Sequence, residues 1–191
     1  MFESENEHHR TTSKASTLWL TGLSGAGKTT LAEGLIAALE ARGVPCVLLD
    51  GDIVRREAGN QLGFSREARA ENVRQVANRC HTLNDRGIWA VVALISPYRQ
   101  DRTKARDAIG ESRWLEVYVS TPLVVCEARD PKHLYEKARA GLIQNFTGIS
   151  DPYEPPMSPA LRLDTSRKSV EECVFAMLGR IGMDMQTEEV P

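Results

Sequence analysis

The chain has only four cysteines in 191 residues, a formal net charge of −2 and no long apolar run, and each shortage removes a class of protein. Cys46, Cys80, Cys126 and Cys173 are far apart, form no C-x-x-C pair and show no zinc-like spacing. Each sits in an apolar or helical stretch, which reads as a reduced, mostly buried thiol of a cytoplasmic protein. No segment is long enough to cross a bilayer, so a membrane partner is not expected. The opening "MFESENEHHRTTSK" lacks the apolar centre of a signal peptide, and His8 and His9 read as part of a solvated tail. Without a general basic field a nucleic-acid partner is not expected either, so any bound anion must be held by local groups.

What is present is ordinary for a globular protein: 41% hydrophobic and 26% charged residues, enough for one domain with a proper core. Residues 1–15 read as a flexible polar tail and residues 16–191 as a single domain. Buried strands are expected at 17–22, 46–50, 88–95, 114–119 and 161–164, with 88–95 the most buried. Helices are expected at 28–43, 65–87 and 97–109, with one more starting after Thr121-Pro122 and a last one behind a capping box of Ser169 and Glu172. Ser96-Pro97 and Thr121-Pro122 read as N-cap and first-turn pairs. Strands alternating with helices give an α/β fold with a parallel central sheet and helices on both faces. Residues 132–159 break the pattern. Turn-rich and carrying Phe146 and Tyr153, they read as a mobile lid.

The strongest local signal is "GLSGAGKTT", Gly22 to Thr30. It has the form G-x-x-x-x-G-K-T, follows a strand and opens a helix, which is the setting of a phosphate-binding P-loop. Gly22, Leu23, Ser24, Gly25, Ala26 and Gly27 offer backbone N–H groups to a triphosphate. Lys28 reaches its β- and γ-phosphates, Thr29 ligates Mg²⁺, and Thr30 continues into the helix. ATP and Mg²⁺ are therefore the expected cofactors. No Asn-Lys-x-Asp loop for guanine is present, and a small P-loop protein with a lid suits a small-molecule kinase.

"LLDGD" ends the second strand at Asp50, on the same sheet edge as the P-loop. Asp52 is placed to take a proton from an acceptor hydroxyl during in-line attack, and Asp50 to orient it or hold a magnesium-bound water. Arg55 would face an anionic acceptor. The plainer alternative is an Asx-turn with a surface salt bridge.

Together, "TLWLTGLSGAGKTT", "LLDGD", "LGFS", "ISPYRQDR", "CEARDPK", "KARAG" and "NFTGI" resemble the adenylylsulfate kinase family from about Leu18 to Tyr153. The resemblance implies a P-loop NTPase three-layer fold and ATP-dependent phosphorylation of the 3′-hydroxyl of adenosine 5′-phosphosulfate. It also implies a homodimer and a role in sulfate assimilation. By the same resemblance Asp52 is the base, while Arg55, Arg69 and Asn72 hold the acceptor's phosphosulfate and sugar. Phe64 and Phe146 sandwich its adenine, as flat rings favour. Ile95 and Ser96 line the acceptor site, and Ser96 corresponds to a serine proposed in some relatives as a phosphorylated intermediate. Lys132 and Asn145 belong to the lid side of the acceptor site, and Lys137 and Arg139 either add charge for the phosphates or form a solvated helix face. Arg129 and Thr165 match the donor-adenine site.

The chain departs from the family pattern at Ile53, Glu57, Ala58, Leu94, Leu142 and Gln144. Ile53 and Glu57 flank the acceptor pocket and leave open a kinase for another nucleotide-like acceptor. A non-catalytic nucleotide-binding module is the third reading, opposed by Lys28, Thr29, Asp52, Arg55 and Arg69.

Overall fold

Five short apolar segments form the strands of one parallel sheet: β1 (Thr17–Thr21), β2 (Cys46–Asp50), β3 (Trp89–Ala93), β4 (Trp114–Val119) and β5 (Leu161–Leu163). They lie in the order β2-β3-β1-β4-β5. The computed structural model describes residues 14–51 and 65–183. Six helices are seen among them: α1 (Lys28–Glu40), α2 (Arg66–Asp85), α3 (Arg99–Ile109), α4 (Leu123–Arg129), α5 (Leu134–Arg139) and α6 (Val170–Arg180). The five expected strands are all found, within two residues at each end. Every residue of β1 and of β3 is buried, so β3 shares its burial with the central strand β1.

Alternation along β1 and β3 divides the interior in two. Leu18, Leu20, Val91 and Ala93 pack on one face with Leu31 and Leu35 of α1 and Met177 of α6. Trp19, Ala90 and Val92 pack on the other with Val73, Val76 and Cys80 of α2 and Ala105 of α3. Leu83 of α2 packs beside them and is partly buried. Ala15, assigned from sequence to the tail, already packs in the first of these layers.

Helix ends follow local chemistry. Ser169 Oγ accepts from Glu172 N at 3.2 Å and Glu172 Oε2 accepts from Ser169 N at 2.7 Å, a complete capping box. Two expected caps are corrected. Tyr98, not Ser96, precedes α3, and Pro122, not Thr121, precedes α4. The hydroxyls of both residues are engaged elsewhere, Ser96 with Trp19 and Thr21, and Thr121 with Ala26 and Thr165. Among the described residues no helix is long and apolar enough to cross a membrane.

Candidate active site

The P-loop joins β1 to α1 at the carboxyl edge of the sheet. Gly22 has φ 153°, and a Cβ there would run into the carbonyl oxygen of Val119 on the neighbouring strand. The chain can make this turn beside β4 only without a side chain. Gly27, at φ 96°, caps α1 with no side-chain hydrogen bond, and the first turn carries no acidic residue. The N–H groups that open α1 thus have neither a capping oxygen nor a local carboxylate to compete with a bound anion. Lys28 is buried and donates to the Leu23 carbonyl at 2.7 Å, across the loop it would help to fill.

Asp50 ends β2 directly opposite. Thr29 Oγ1 donates to Asp50 Oδ2 at 2.8 Å. Two hard oxygen donors at this spacing, one from the P-loop and one from a neighbouring strand end, suit a magnesium ion that keeps most of its water. Among the described residues no group of three or more Asp, Glu, His or Cys gathers elsewhere as a metal site. Of the two roles considered for Asp50, this geometry fits the magnesium side.

One cleft of about 840 Å³ is lined by the P-loop together with side chains from several other segments. Among them are Arg129 and Thr165. Arg129 donates to Thr165 Oγ1 at 2.7 Å and to the Thr165 carbonyl at 2.9 Å, and Thr165 Oγ1 lies 2.9 Å from the Ala26 carbonyl. The pair is thereby built against the phosphate loop, as its expected donor role requires. The same cleft is lined by Arg69, Asn72, Ile95, Ser96, Lys132 and Phe146. Asn145 joins this group through its backbone, since its carbonyl accepts from Arg69 Nη2 at 2.7 Å. Burial lowers the pKa of the Arg69 guanidinium, and the nearby Asp151 and Tyr98 oppose that shift. Asn72 Oδ1 is fully buried and has no hydrogen-bond partner among the described residues. Asn72 lines the cleft, and a buried acceptor without a donor beside a cleft is a group that a bound ligand's donor could satisfy.

The sequence matches the family model for adenylylsulphate kinase over residues 14–164. The chain belongs to the adenylylsulphate kinase family. It is 51% identical over 158 residues to an adenylyl-sulfate kinase of Synechococcus sp. (strain JA-3-3Ab), covering 83% of this chain and 89% of that one. It is 53% identical over 161 residues to the corresponding enzyme of Phocaeicola vulgatus, covering 84% and 79%. The Mycobacterium tuberculosis APS kinase CysC, solved in complex with AMPPNP and APS, superposes with a TM-score of 0.85 at 40% identity, covering 88% and 98%. A sugar kinase from Janibacter, at 20% identity and a TM-score of 0.64, shares the fold.

Within this adenylylsulphate kinase chain the site residues expected from sequence divide three ways. Ser24, Gly25, Gly27, Lys28, Thr29 and Thr30 of the P-loop, with Asp50, Arg69, Asn72, Ile95, Ser96, Arg129, Lys132, Phe146 and Thr165, line one cleft, and Asn145 joins them through Arg69, whereas Gly22, Leu23 and Ala26 do not line it. Asp52, Arg55 and Phe64, and with them Ile53 and Glu57, lie outside the described residues. Lys137 and Arg139 do not line the cleft. Arg139 instead pairs with Glu127 at 2.9 Å on the surface.

Two side chains differ from expectation. Phe146 is expected from the family resemblance to stack on the acceptor's adenine. It is in fact buried, packs with the α1 layer and meets Tyr135 edge-on at 5.0 Å between centroids, while still lining the cleft. The Ser96 hydroxyl is buried and takes the indole N–H of Trp19 at 3.0 Å. The segment after α5 is also strongly tethered. Tyr98 donates to Asp151 at 2.6 Å, Arg102 to the Glu154 carbonyl at 2.7 Å and Arg99 to the Pro155 carbonyl at 2.8 Å. Thr147 lies inside "NFTGI" but carries no role expected from sequence; only its placement, buried in the cleft wall with an Oγ1 unpartnered among the described residues, reveals it.

Proposed function

We propose that this chain transfers the γ-phosphoryl group of ATP to the ribose 3′-hydroxyl of adenosine 5′-phosphosulfate. The observation that carries the reading is one cleft lined both by the P-loop with Arg129 and Thr165, for the donor, and by Arg69, Asn72 and Phe146, for the acceptor. An in-line transfer needs this arrangement of two ligands meeting at one phosphate.

The P-loop amides and Lys28 hold the triphosphate and offset its charge. Thr29 and Asp50 would hold Mg²⁺, which would neutralise charge on the phosphates. Arg69 faces the acceptor's anionic group, Asn72 Oδ1 accepts from an acceptor hydroxyl, and the Phe146 ring supports the acceptor base. Asp52 takes the proton of the 3′-hydroxyl as its oxygen bonds to phosphorus and the bond from phosphorus to the ADP oxygen breaks. The 145–155 segment shields the reaction from water. In the cell we place this chemistry in the cytoplasm, in a homodimer.

The test is a transfer assay with purified protein, Mg-ATP and a panel of nucleotide acceptors. Transfer confined to adenosine 5′-phosphosulfate is the expected result, and transfer only to another acceptor, or ATP binding without transfer, overturns the reading. Asp52→Ala should keep ATP affinity and lose most transfer, and wild-type rates in that variant would remove Asp52 from its role.

A further inference from the structure

Thr21 is the last residue of β1, immediately before the P-loop, and its side chain is wholly buried. Its hydroxyl has three close oxygen neighbours: the Ile95 carbonyl at 2.7 Å, the Tyr153 hydroxyl at 3.0 Å and Ser96 Oγ at 3.1 Å. A hydroxyl carries one proton and two lone pairs. Ile95 presents a carbonyl, which can only accept, so Thr21 donates there and accepts from both Tyr153 and Ser96. Ser96 Oγ in turn accepts from Trp19 Nε1 at 3.0 Å. The one proton of Ser96 has Thr21 Oγ1 at 3.1 Å and the Leu94 carbonyl at 3.3 Å within reach, and given to the nearer Thr21 it completes that hydroxyl's hydrogen-bonding capacity.

This network lies under the acceptor wall of the cleft. Ser96 is held at φ 39°, a left-handed conformation that a non-glycine residue keeps only where its surroundings impose it. Its carbonyl is gripped by Arg102 Nη1 at 2.7 Å, and the same guanidinium holds the Glu154 carbonyl beside Tyr153. The acceptor wall and the 145–155 segment therefore converge on one hydroxyl that the backbone joins directly to Gly22.

We propose that Thr21 is a positioning residue for phosphoryl transfer: it sets the Ile95–Ser96 wall and, through Tyr153, the covering segment, in register with the phosphate loop. The inference rests on the kinase reading above. It assigns the Ser96 hydroxyl to this network, where its proton is given to Thr21, and not to attack on phosphorus.

Wild type, Thr21→Val, Thr21→Ser and Tyr153→Phe would be compared in the transfer assay, in ATP-binding calorimetry and in backbone hydrogen exchange. Valine keeps the shape and removes the hydroxyl. We expect Thr21→Val to lower kcat/KM for adenosine 5′-phosphosulfate by about tenfold or more, the scale of one lost buried hydrogen bond, with ATP affinity within about twofold. Thr21→Ser should restore the wild-type values. Amides of residues 94–98 and 147–154 should exchange faster in the valine variant while those of α1 do not. Wild-type acceptor kinetics in Thr21→Val, equal losses for both substrates, or failure of serine to rescue would each overturn the proposal. Should Thr21→Val not fold, Tyr153→Phe decides: it should raise acceptor KM and speed exchange at 147–154, and wild-type behaviour refutes the coupling. If the wild type transfers nothing to adenosine 5′-phosphosulfate, the kinase reading falls. The exchange contrast between valine and serine still tests the network.

Discussion

Replacing Arg102 by Met should be the most damaging single change on the α3 side of the cleft. The guanidinium is buried and has three partners: Glu116 Oε1, the Ser96 carbonyl and the Glu154 carbonyl, each at 2.7 Å. Methionine fills much of the volume but donates nothing. Each orphaned buried carbonyl costs about 1–3 kcal/mol. Glu116 keeps 17% of its side-chain surface exposed, so water can recover part of what its carboxylate loses. Breaking a buried pair of this kind costs about 3–5 kcal/mol, which for a chain of this size corresponds to a fall in Tm of about 6–20 °C. Adding Glu116→Leu should return only about 1 kcal/mol, because the two carbonyls remain unpaired. Urea unfolding of wild type, single and double variants, with equal m-values, measures this directly. A single variant within about 1 kcal/mol of wild type would refute the reasoning. So would a double variant as stable as wild type, because the two carbonyls could then have lost nothing with the guanidinium.

Phe146 should show both of its roles when they are separated: Phe146→Ala costs about 3–5 kcal/mol of stability by leaving a cavity beside Tyr135. Phe146→Leu keeps the packing but raises acceptor KM about tenfold through lost stacking, with ATP KM unchanged; equal effects on both substrates in steady-state kinetics would contradict the assignment. Glu71 accepts from Arg74 at 2.6 and 2.7 Å and from Gln75 at 2.8 Å, and these side-chain hydrogen bonds hold its carboxyl down at about 2. Its folded pKa lies below the unfolded value of about 4.3, so its contribution is complete above that pH and is lost as pH falls toward 2. Glu71→Gln should therefore flatten the acid limb of the stability curve, by a small, salt-sensitive amount because the pair is exposed. An unchanged acid limb in the variant would show that the pair does not form in solution.

The alternation of short apolar segments with amphipathic ones determined five strands and their parallel pairing, because each buried segment has one period and one way to hide its polar backbone. The P-loop was equally legible, since glycine spacing and a following helix are local requirements of one backbone path. The Ser169–Glu172 box could be read for the same reason: a helix end is settled by residues a few positions apart. Ser96 and Thr121 defeated that local logic. Each has the composition of an N-cap, yet each hydroxyl is claimed by partners more than 40 residues away in sequence, Trp19 and Thr21 for one, Thr165 and Ala26 for the other. No periodicity signals such a contact, because it depends on which strands become neighbours. The strand order places β1 between β3 and β4, and only that order brings Thr21, Ile95 and Tyr153 onto one hydroxyl and turns Phe146 into core. The sequence alone thus determined the elements, the phosphate-binding turn and the kinds of group around it. The tertiary structure decided which polar groups meet, because buried hydrogen bonds are satisfied between distant segments once the sheet has chosen its neighbours.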